Sequence, residues 1–180
     1  MLITLSGLPG TGKSTVAKIL KERSGMDFIS SGEIFRGLAK EMNLSLAEFG
    51  VLAESDPSVD LKIDMKQQEL SKTQDNLILE GRLAAHMSTA APPGKPVLRV
   101  YLKAPIETRV RRIMTREGTS SFKFEMDKTI ERENSENTRY LKYYKIDIND
   151  LFIYDLVIDT DRLLPETIAD IILRAADAMQ

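Results

Sequence analysis

The stretch MLITLSGLPGTGKSTVAKIL, residues 1–20, determines how the rest of the chain is interpreted. A short apolar run leads into a glycine-rich turn, and apolar residues at helical spacing follow it. Residues 7–14, GLPGTGKS, fit the pattern G-x-x-x-x-G-K-[ST], known as the P-loop. A strand before the motif and a helix after it form the context in which this pattern binds phosphates, so a chance match is disfavoured.

Each part of the motif has a physical role. Glycines allow the tight turn that points successive N–H groups at an anion, and a helix starting near Gly12 adds the positive end of its dipole. Lys13 can reach the β- and γ-phosphates of a nucleotide, and the Ser14 hydroxyl can bind Mg²⁺. The motif therefore predicts a nucleoside triphosphate site.

Composition restricts the class of protein. The chain has 180 residues, which predicts a single domain over 1–180, and 42% of its residues are hydrophobic, enough for a buried core. A net charge of -2 argues against a general nucleic-acid binder, and the absence of cysteine excludes disulfides and thiolate metal sites. No apolar run approaches the roughly 20 residues of a membrane span, and no secretory signal is visible. We expect a cytoplasmic protein without a membrane partner.

Short apolar runs alternate with helical patterns along the chain. Several runs lack polar alternation, which is typical of strands buried on both faces of a parallel sheet. The pattern predicts an α/β fold, a doubly wound five-stranded parallel sheet flanked by helices. The expected strands are residues 2–5, 28–30, 77–79, 97–102 and 156–158.

Two segments lie apart from this predicted core. Residues 36–72 are charged, helical in pattern and free of predicted strands. Residues 117–133, EGTSSFKFEMDKTIERE, are polar and poor in large aliphatic residues, so few apolar contacts would hold them. Such a segment beside a phosphate site is typical of a lid, and we predict a small lid at about 117–133.

Glu80 ends the apolar run LILE. A carboxylate at the carboxyl end of a strand next to the P-loop can hold Mg²⁺, as the Walker-B acid does. An ordinary acid at a strand end is the alternative. The apolar strand before Glu80 and the Gly81-Arg82 pair after it favour the metal role.

Arginines outside the P-loop indicate which reaction the triphosphate serves. Transfer to a second phosphate brings two anions together, so the protein must supply cations and align the groups. Helical spacing places three candidates on one face and two candidates with an acid on another. The alternative is a solvated surface with weak ion pairs. The candidates are Arg36 and Arg82 after strands, Arg109, Arg112 and Arg116 on the first face, and Arg132, Glu136 and Arg139 on the second.

The segments GLPGTGKST, SSGEIFR, LILEGR, ERENSENTR and YDLVIDTDRLLPE, in this order, resemble the cytidylate kinases in their compact archaeal form. The likeness covers nearly the whole chain and is weakest across 43–72. It implies a P-loop kinase that uses ATP with Mg²⁺ to phosphorylate CMP and dCMP. It also implies a core, a region at 36–72 that binds the nucleoside monophosphate, and a lid; we expect a monomer.

The resemblance further implies residue roles. Arg36 would hold the CMP phosphate with Arg82 beside it, and the RENSENTR segment would contact CMP and the transferring phosphoryl group. The implied ATP-binding residues are Gly7, Leu8, Pro9, Gly10, Thr11, Gly12, Lys13, Ser14 and Thr15. The substrate-binding residues would be Ser31, Gly32, Arg36, Gly81, Arg82, Arg132, Glu136 and Arg139, the catalytic residues Lys13, Arg112, Arg116, Arg132 and Arg139, and the metal ligands Ser14 and Glu80.

One departure from the bacterial pattern leaves alternatives open. Bacterial relatives carry D-G-R-D where this chain has EGRL, and Leu83 cannot replace the last acid in recognising cytosine, so that role falls to the helices between 36 and 72. The acceptor could instead be AMP, UMP or a shikimate-like acid, although adenylate kinases usually show D-G-[FY]-P-R after this strand. The other alternative is a nucleotide-binding switch without catalysis.

Overall fold

The computed structural model describes residues 1–179, apart from the side chains of residues 46, 47, 50 and 54; Gln180, the end of the predicted domain, lies outside this range. Within it, five strands alternate with helices. The strands are β1 (Leu2–Ser6), β2 (Asp27–Ser30), β3 (Leu77–Glu80), β4 (Val97–Lys103) and β5 (Leu156–Asp159). The α-helices are α1 (Lys13–Ser24), α2 (Ser31–Glu41), α3 (Leu46–Ser55), α4 (Ser58–Thr73), α5 (Ala84–Met87), α6 (Ile106–Glu117), α7 (Phe122–Tyr144) and α8 (Pro165–Asp177).

The strands form one parallel sheet in the order β2-β3-β1-β4-β5. The strand that precedes the P-loop lies in the centre, where Leu2 is opposite Leu77 on one side and Val97 on the other. All five predicted strands and the doubly wound sheet are confirmed. In such sheets ligands bind beyond the carboxyl ends of the strands where the strand order reverses, and here that point is the end of β1.

The central strand β1 is buried on both faces because helices cover both sides of the sheet. Its alternate residues point to opposite faces. Ile3 and Leu5 pack in one apolar cluster with residues of α1 and α8, such as Val16 and Ile172, whereas Leu2 packs in a second cluster with residues of α2 and α4. This packing anchors the start of the P-loop in a rigid core.

The segment 36–72 is helical as predicted and lies mostly in α2, α3 and α4. Both α2 and α3 begin with a capping box, Ser30 with Glu33 and Ser45 with Glu48, in which each side chain satisfies a free N–H group of the other. Buried Phe49 packs edge-on against Phe35 at a centroid distance of 4.6 Å and joins α3 to α2.

The predicted lid at 117–133 is part of a helical hairpin. Gly118, with φ of 68°, ends α6, and Ser121 caps α7, which continues without a break to Tyr144. The lid segment and the RENSENTR segment therefore share one helix, so a movement of one is transmitted directly to the other. No helix within residues 1–179 is both long and apolar enough to cross a membrane.

Candidate functional site

The P-loop has a conformation that requires glycine at its centre. Gly10 has φ of 79°, and a Cβ atom there would lie 2.5 Å from the carbonyl oxygen of Arg109. Gly12 is the left-handed N-cap of α1, which begins at Lys13 as the motif predicts. Because the first N–H groups of a helix have no partner within it, they are available to a phosphate.

Lys13 is buried at the floor of the loop. Its Nζ donates hydrogen bonds to the carbonyl oxygens of Gly7 at 2.8 Å and Leu8 at 3.0 Å. Burial, together with the nearby Arg82 cation, lowers the pKa of Lys13 to about 7. An anion beside this amine would favour its charged form, so a phosphate and the Lys13 proton stabilise each other.

Ser14 and Glu80 lie together at the end of β3, where the Ser14 hydroxyl donates to Glu80 Oε2 at 3.0 Å. Among the described residues no group of three His, Cys, Asp or Glu side chains can hold a metal ion. Mg²⁺ does not require such a group, since it binds one or two protein oxygens, substrate phosphates and several waters. The two oxygen donors therefore fit Mg²⁺ that arrives with a nucleotide.

A cavity of about 910 Å³ extends from the P-loop to α4 and α7. It brings together most of the substrate-binding residues, three of the catalytic residues and one of the metal ligands expected from the sequence, although they come from four separate stretches of the chain. Those lining it are Lys13, Ser31, Gly32, Glu80, Gly81, Arg82, Arg132, Glu136 and Arg139.

Glu136 joins two arginines at the P-loop end of this cavity. It forms a bidentate ion pair with Arg82 and accepts a hydrogen bond from Arg132 Nε at 2.9 Å. Burial acts to raise the pKa of Glu136, but Arg82 and Arg132 outweigh it and hold the pKa below its usual value. Arg82 also donates to the Gly7 carbonyl at 3.2 Å, so the network touches the P-loop itself.

Arg139 connects α7 to α4. Its Nε lies 3.1 Å from Asp60 Oδ2, close enough for an ion pair. The same Nε has no aligned hydrogen-bond acceptor among residues 1–179, so the contact is an ion pair without a hydrogen bond. Its guanidinium is thus held at the cavity wall by charge and is available to a stronger anion.

Three arginines expected in the site do not line the cavity, although two of them lie next to it: Arg36 Nη1 is beside Gly32, and Arg112 Nη1 donates to the Gly10 carbonyl of the P-loop at 3.4 Å. Arg36 is exposed on α2. Arg112 donates to Thr160 Oγ1 at 2.9 Å and to the Thr160 carbonyl at 2.7 Å, behind the P-loop. Arg116 pairs at the surface with Glu117 at 2.8 Å. None of the three is among the described residues that line the cavity.

Arg109 braces the loop from outside. It is 5% exposed and forms a bidentate ion pair with Glu133 of α7. It also donates to the carbonyl oxygens of Pro9 at 3.3 Å and Ala104 at 3.1 Å. This side chain therefore couples the P-loop to α7 and is a positioning residue.

The cavity face of α4 was not predicted from the sequence. Asp60, Asp64 and Gln67 line the cavity, and Tyr140 of α7 lies with them. Their spacing of four and three residues in DLKIDMKQ places them on one helical face, a signal that was available. Nothing in the sequence distinguished that face from a solvated one.

Comparisons with known proteins agree with this geometry. The model of the cytidylate kinase-like family matches residues 2–162. The chain is 53% identical over 178 residues to a cytidylate kinase of Methanococcoides burtonii, covering 99% of this chain and 98% of that protein. It is 47% identical over 180 residues to a cytidylate kinase of Methanocella arvoryzae, covering 100% of this chain and 99% of the other.

Solved structures of lower identity share the fold. A shikimate kinase from Aquifex aeolicus is 18% identical with a TM-score of 0.59, covering 99% of this chain and 97% of its own. A gluconokinase from Sinorhizobium meliloti is 14% identical with a TM-score of 0.63, covering 98% and 91%. These similarities show the P-loop kinase fold alone. Because the family model matches residues 2–162 and the relatives are about 50% identical over nearly the whole chain, the chain belongs to the cytidylate kinase-like family.

Proposed function

We propose that this protein transfers the γ-phosphoryl group of ATP to the phosphate of CMP, and of dCMP, and so forms ADP with CDP or dCDP. Family membership over nearly the whole chain supports the reaction. The observation that carries the proposal is the cavity, which begins at the P-loop lysine and continues past Arg82, Arg132 and Arg139 to a polar face on α4.

The residues present suit a reaction between two anionic groups. The acceptor atom is already a phosphate oxygen, so the protein needs no general base and must instead supply cations and hold the groups in line. Lys13 and the P-loop backbone would hold the ATP phosphates. The CMP phosphate and the transferring group would be bound by Arg82, Arg132 and Arg139. Arg82 would then exchange part of its ion pair with Glu136 for the phosphate.

Mg²⁺ would be held by Ser14 and Glu80 together with the nucleotide. When bound, it neutralises charge on the β- and γ-phosphates. The Ser14 hydroxyl would offer a lone pair of its oxygen to the ion and could keep its hydrogen bond to Glu80.

Closure of the segment 117–133 is proposed as the step that excludes water. It would bring Arg112 and Arg116 of α6 toward the phosphates as further cations, whereas Arg36 of α2, whose Nη1 lies beside Gly32, would hold the CMP phosphate. A closed site protects ATP from hydrolysis, so closure should require both substrates. Rapid ATP hydrolysis with no acceptor present would contradict this role for the segment.

We propose that the protein acts as a monomer without a membrane partner, and its net charge of -2 argues against a general nucleic-acid partner. We propose the cytoplasm as its location, where ATP and CMP are supplied. Gel filtration at the concentration used for kinetics tests the monomer.

The decisive experiment measures ADP formation from Mg-ATP with CMP, dCMP, UMP, AMP and shikimate, with a control that lacks an acceptor. We expect strong turnover with CMP and dCMP. Turnover mainly with AMP or UMP would overturn the substrate and keep the reaction. Tight ATP binding without turnover on any acceptor would overturn the reaction.

A further inference from the structure

The cavity has two chemically different ends. Lys13, Arg82 and Arg132 make the end beside the P-loop cationic. At the other end, Asp64 and Gln67 project from α4 and present oxygen atoms. A nucleoside monophosphate also has two ends, an anionic phosphate and a base with donors and acceptors on its edge. The arrangement therefore orients such a substrate with its base toward α4.

Gln67 is 1% exposed and its amide is held in one orientation. Its Nε2 donates to Asp64 Oδ1 at 3.3 Å, and the backbone carbonyl of Gln67 accepts from Ser71 Oγ at 2.8 Å. The amide oxygen Oε1 has no hydrogen-bond donor in the part of the chain that the structure describes. Burying a carbonyl oxygen without a hydrogen-bond donor costs free energy, so a ligand that donates a hydrogen bond to this atom would be stabilised.

The unsatisfied oxygen lies against the turn after β3. It packs over Gly81, where a Cβ atom would lie 2.9 Å from it and would also clash with the Ser31 hydroxyl. Only the bare backbone of Gly81 leaves room beside Gln67 Oε1. The acceptor therefore lies between α4 and the Gly81 backbone in the turn after β3.

Asp64 is a second acceptor, and no Lys or Arg side chain in the described part of the chain forms an ion pair with it. It is 7% exposed, and its contacts are the Gln67 amide and the hydroxyl of Tyr144. Burial raises the pKa of Asp64 to about 6, and the nearby Asp60 carboxylate adds to the effect. By contrast, Asp60 has Arg139 as its ion-pair partner. Asp64 is therefore better able than Asp60 to accept a hydrogen bond from an N–H group of a ligand.

Cytosine carries an exocyclic amino group, a donor of two hydrogens, where uracil carries a carbonyl oxygen. We propose that Gln67 Oε1 and Asp64 bind this amino group and so make the enzyme prefer CMP to UMP. The inference rests on the proposed function and names the residues of its base selectivity. Buried Leu83, 1% exposed, offers no polar atom for this purpose.

Uracil would be rejected at the same place. Its O4 would face the Gln67 Oε1 and Asp64 oxygens, so Gln67 Oε1 would still have no donor and uracil O4 would have none either, which is costly in a site closed to water. Loss of one such hydrogen bond corresponds to about 10- to 100-fold in kcat/KM. We expect at least this ratio between CMP and UMP in the unmodified enzyme.

The first experiment uses the unmodified protein and so does not depend on any variant folding. The kcat/KM values are compared for CMP, UMP and N4,N4-dimethyl-CMP, which keeps the cytosine ring and lacks both amino hydrogens. We expect the dimethyl compound to lose about tenfold or more, as UMP does. Equal kcat/KM values for CMP and the dimethyl compound would overturn the proposal.

The second experiment compares Gln67→Met with Gln68→Met, the same change one residue further along α4. Gln68 contacts Met87 Sδ at 3.4 Å and lies outside this cavity, so it controls for effects on the helix. Gln67→Met should lower kcat/KM for CMP about tenfold and leave that for UMP nearly unchanged. Gln68→Met should keep the CMP-to-UMP ratio of the unmodified enzyme.

Asp64→Asn provides the complementary test, because its amide can donate to uracil O4. The CMP-to-UMP ratio should fall about tenfold with ATP affinity unchanged. If both variants lower CMP and UMP turnover equally, α4 has only a structural role and the inference fails while the proposed function stands. If the unmodified enzyme phosphorylates neither nucleotide, the proposed function itself fails.

Discussion

The P-loop and the cavity face of α4 border the same cavity, but the first offers mainly backbone groups and the second offers side chains. The P-loop is one continuous stretch whose shape comes from backbone torsions, as at Gly10, and from N–H groups. The α4 face offers side-chain oxygens of Asp60, Asp64 and Gln67, whose surroundings come from α7 and from the turn after β3. The first recognises what all triphosphates share, and the second is suited to distinguish one base from another.

The comparison implies that phosphoryl transfer and ATP binding can be separated by mutation. The largest effect is expected for Arg132→Ala and Arg139→Ala, which remove cations from the transferring group and should lower kcat about 10³-fold. ATP affinity should change little, because in the described residues Arg132 pairs with Glu136 and Arg139 with Asp60, and neither forms a hydrogen bond with the P-loop. Arg111→Ala is the matched control, since Arg111 lies outside the cavity and packs on Phe122 at 5.2 Å. Parallel loss of ATP affinity would refute the assigned roles.

Backbone construction of the P-loop is tested by Gly10→Ala against Gly94→Ala. Both residues have positive φ, 79° and 85°, but a Cβ atom would clash only at Gly10, because nothing lies within 4 Å at Gly94. We expect a loss of about 1–2 kcal/mol at Gly94 from strain alone and about 3–5 kcal/mol at Gly10. Urea unfolding measures both. Equal losses would show that the loop tolerates the added carbon.

Burial of Asp64 predicts a pH dependence of stability. Its pKa is raised from 3.8 to about 6, so between these values the folded protein holds a proton that the unfolded chain releases. The resulting stabilisation is complete below pH 3.8 and is lost as the pH rises through 6, a change of at most about 3 kcal/mol.

Asp64→Asn has no such proton and should not show this loss. Urea unfolding is measured from pH 4 to 7.5. As the pH rises, the free energy of unfolding of the variant should increase relative to that of the unmodified protein. A difference that is constant across this range would mean that Asp64 titrates normally.

The smallest effect is expected for the N-terminal cap of α3, which lies outside the polar groups of the cavity. Ser45 caps α3 by accepting from the Glu48 N–H at 3.2 Å, and Ser45→Ala should cost about 1 kcal/mol of stability. Ser55→Ala, at the other end of α3, is the control because its hydroxyl bonds only to carbonyls of its own helix. ATP affinity should be the same in both variants, and a selective fall in Ser45→Ala would link α3 to the P-loop.

The sequence was most informative where neighbours in the chain are also neighbours in space. The P-loop, the five strands and the helices of 36–72 were predicted because torsional preferences and apolar spacing are local properties. The face shared by Arg132, Glu136 and Arg139 was also predictable, since helical spacing alone places them together. The family resemblance was correct for the same reason, because its motifs are short continuous segments.

Distances between separate segments were beyond the reach of such patterns. Arg112 and Arg116 share a helical face by spacing, yet one binds Thr160 behind the P-loop and the other pairs with Glu117 at the surface. Helical spacing fixes which residues point the same way but not what lies in front of them. In the same way, DLKIDMKQ reads as an ordinary charged helix until α7 and the turn after β3 are packed against it.

The sequence by itself determined the triphosphate-binding loop, the strand and helix order and the family, because each depends on consecutive residues. Only the tertiary structure decided that Glu136 bridges Arg82 and Arg132 and that Gln67 Oε1 lies buried without a donor beside Gly81. Burial and charge at a cavity wall are sums over residues distant in the chain. Their values exist only once the helices have packed on the sheet.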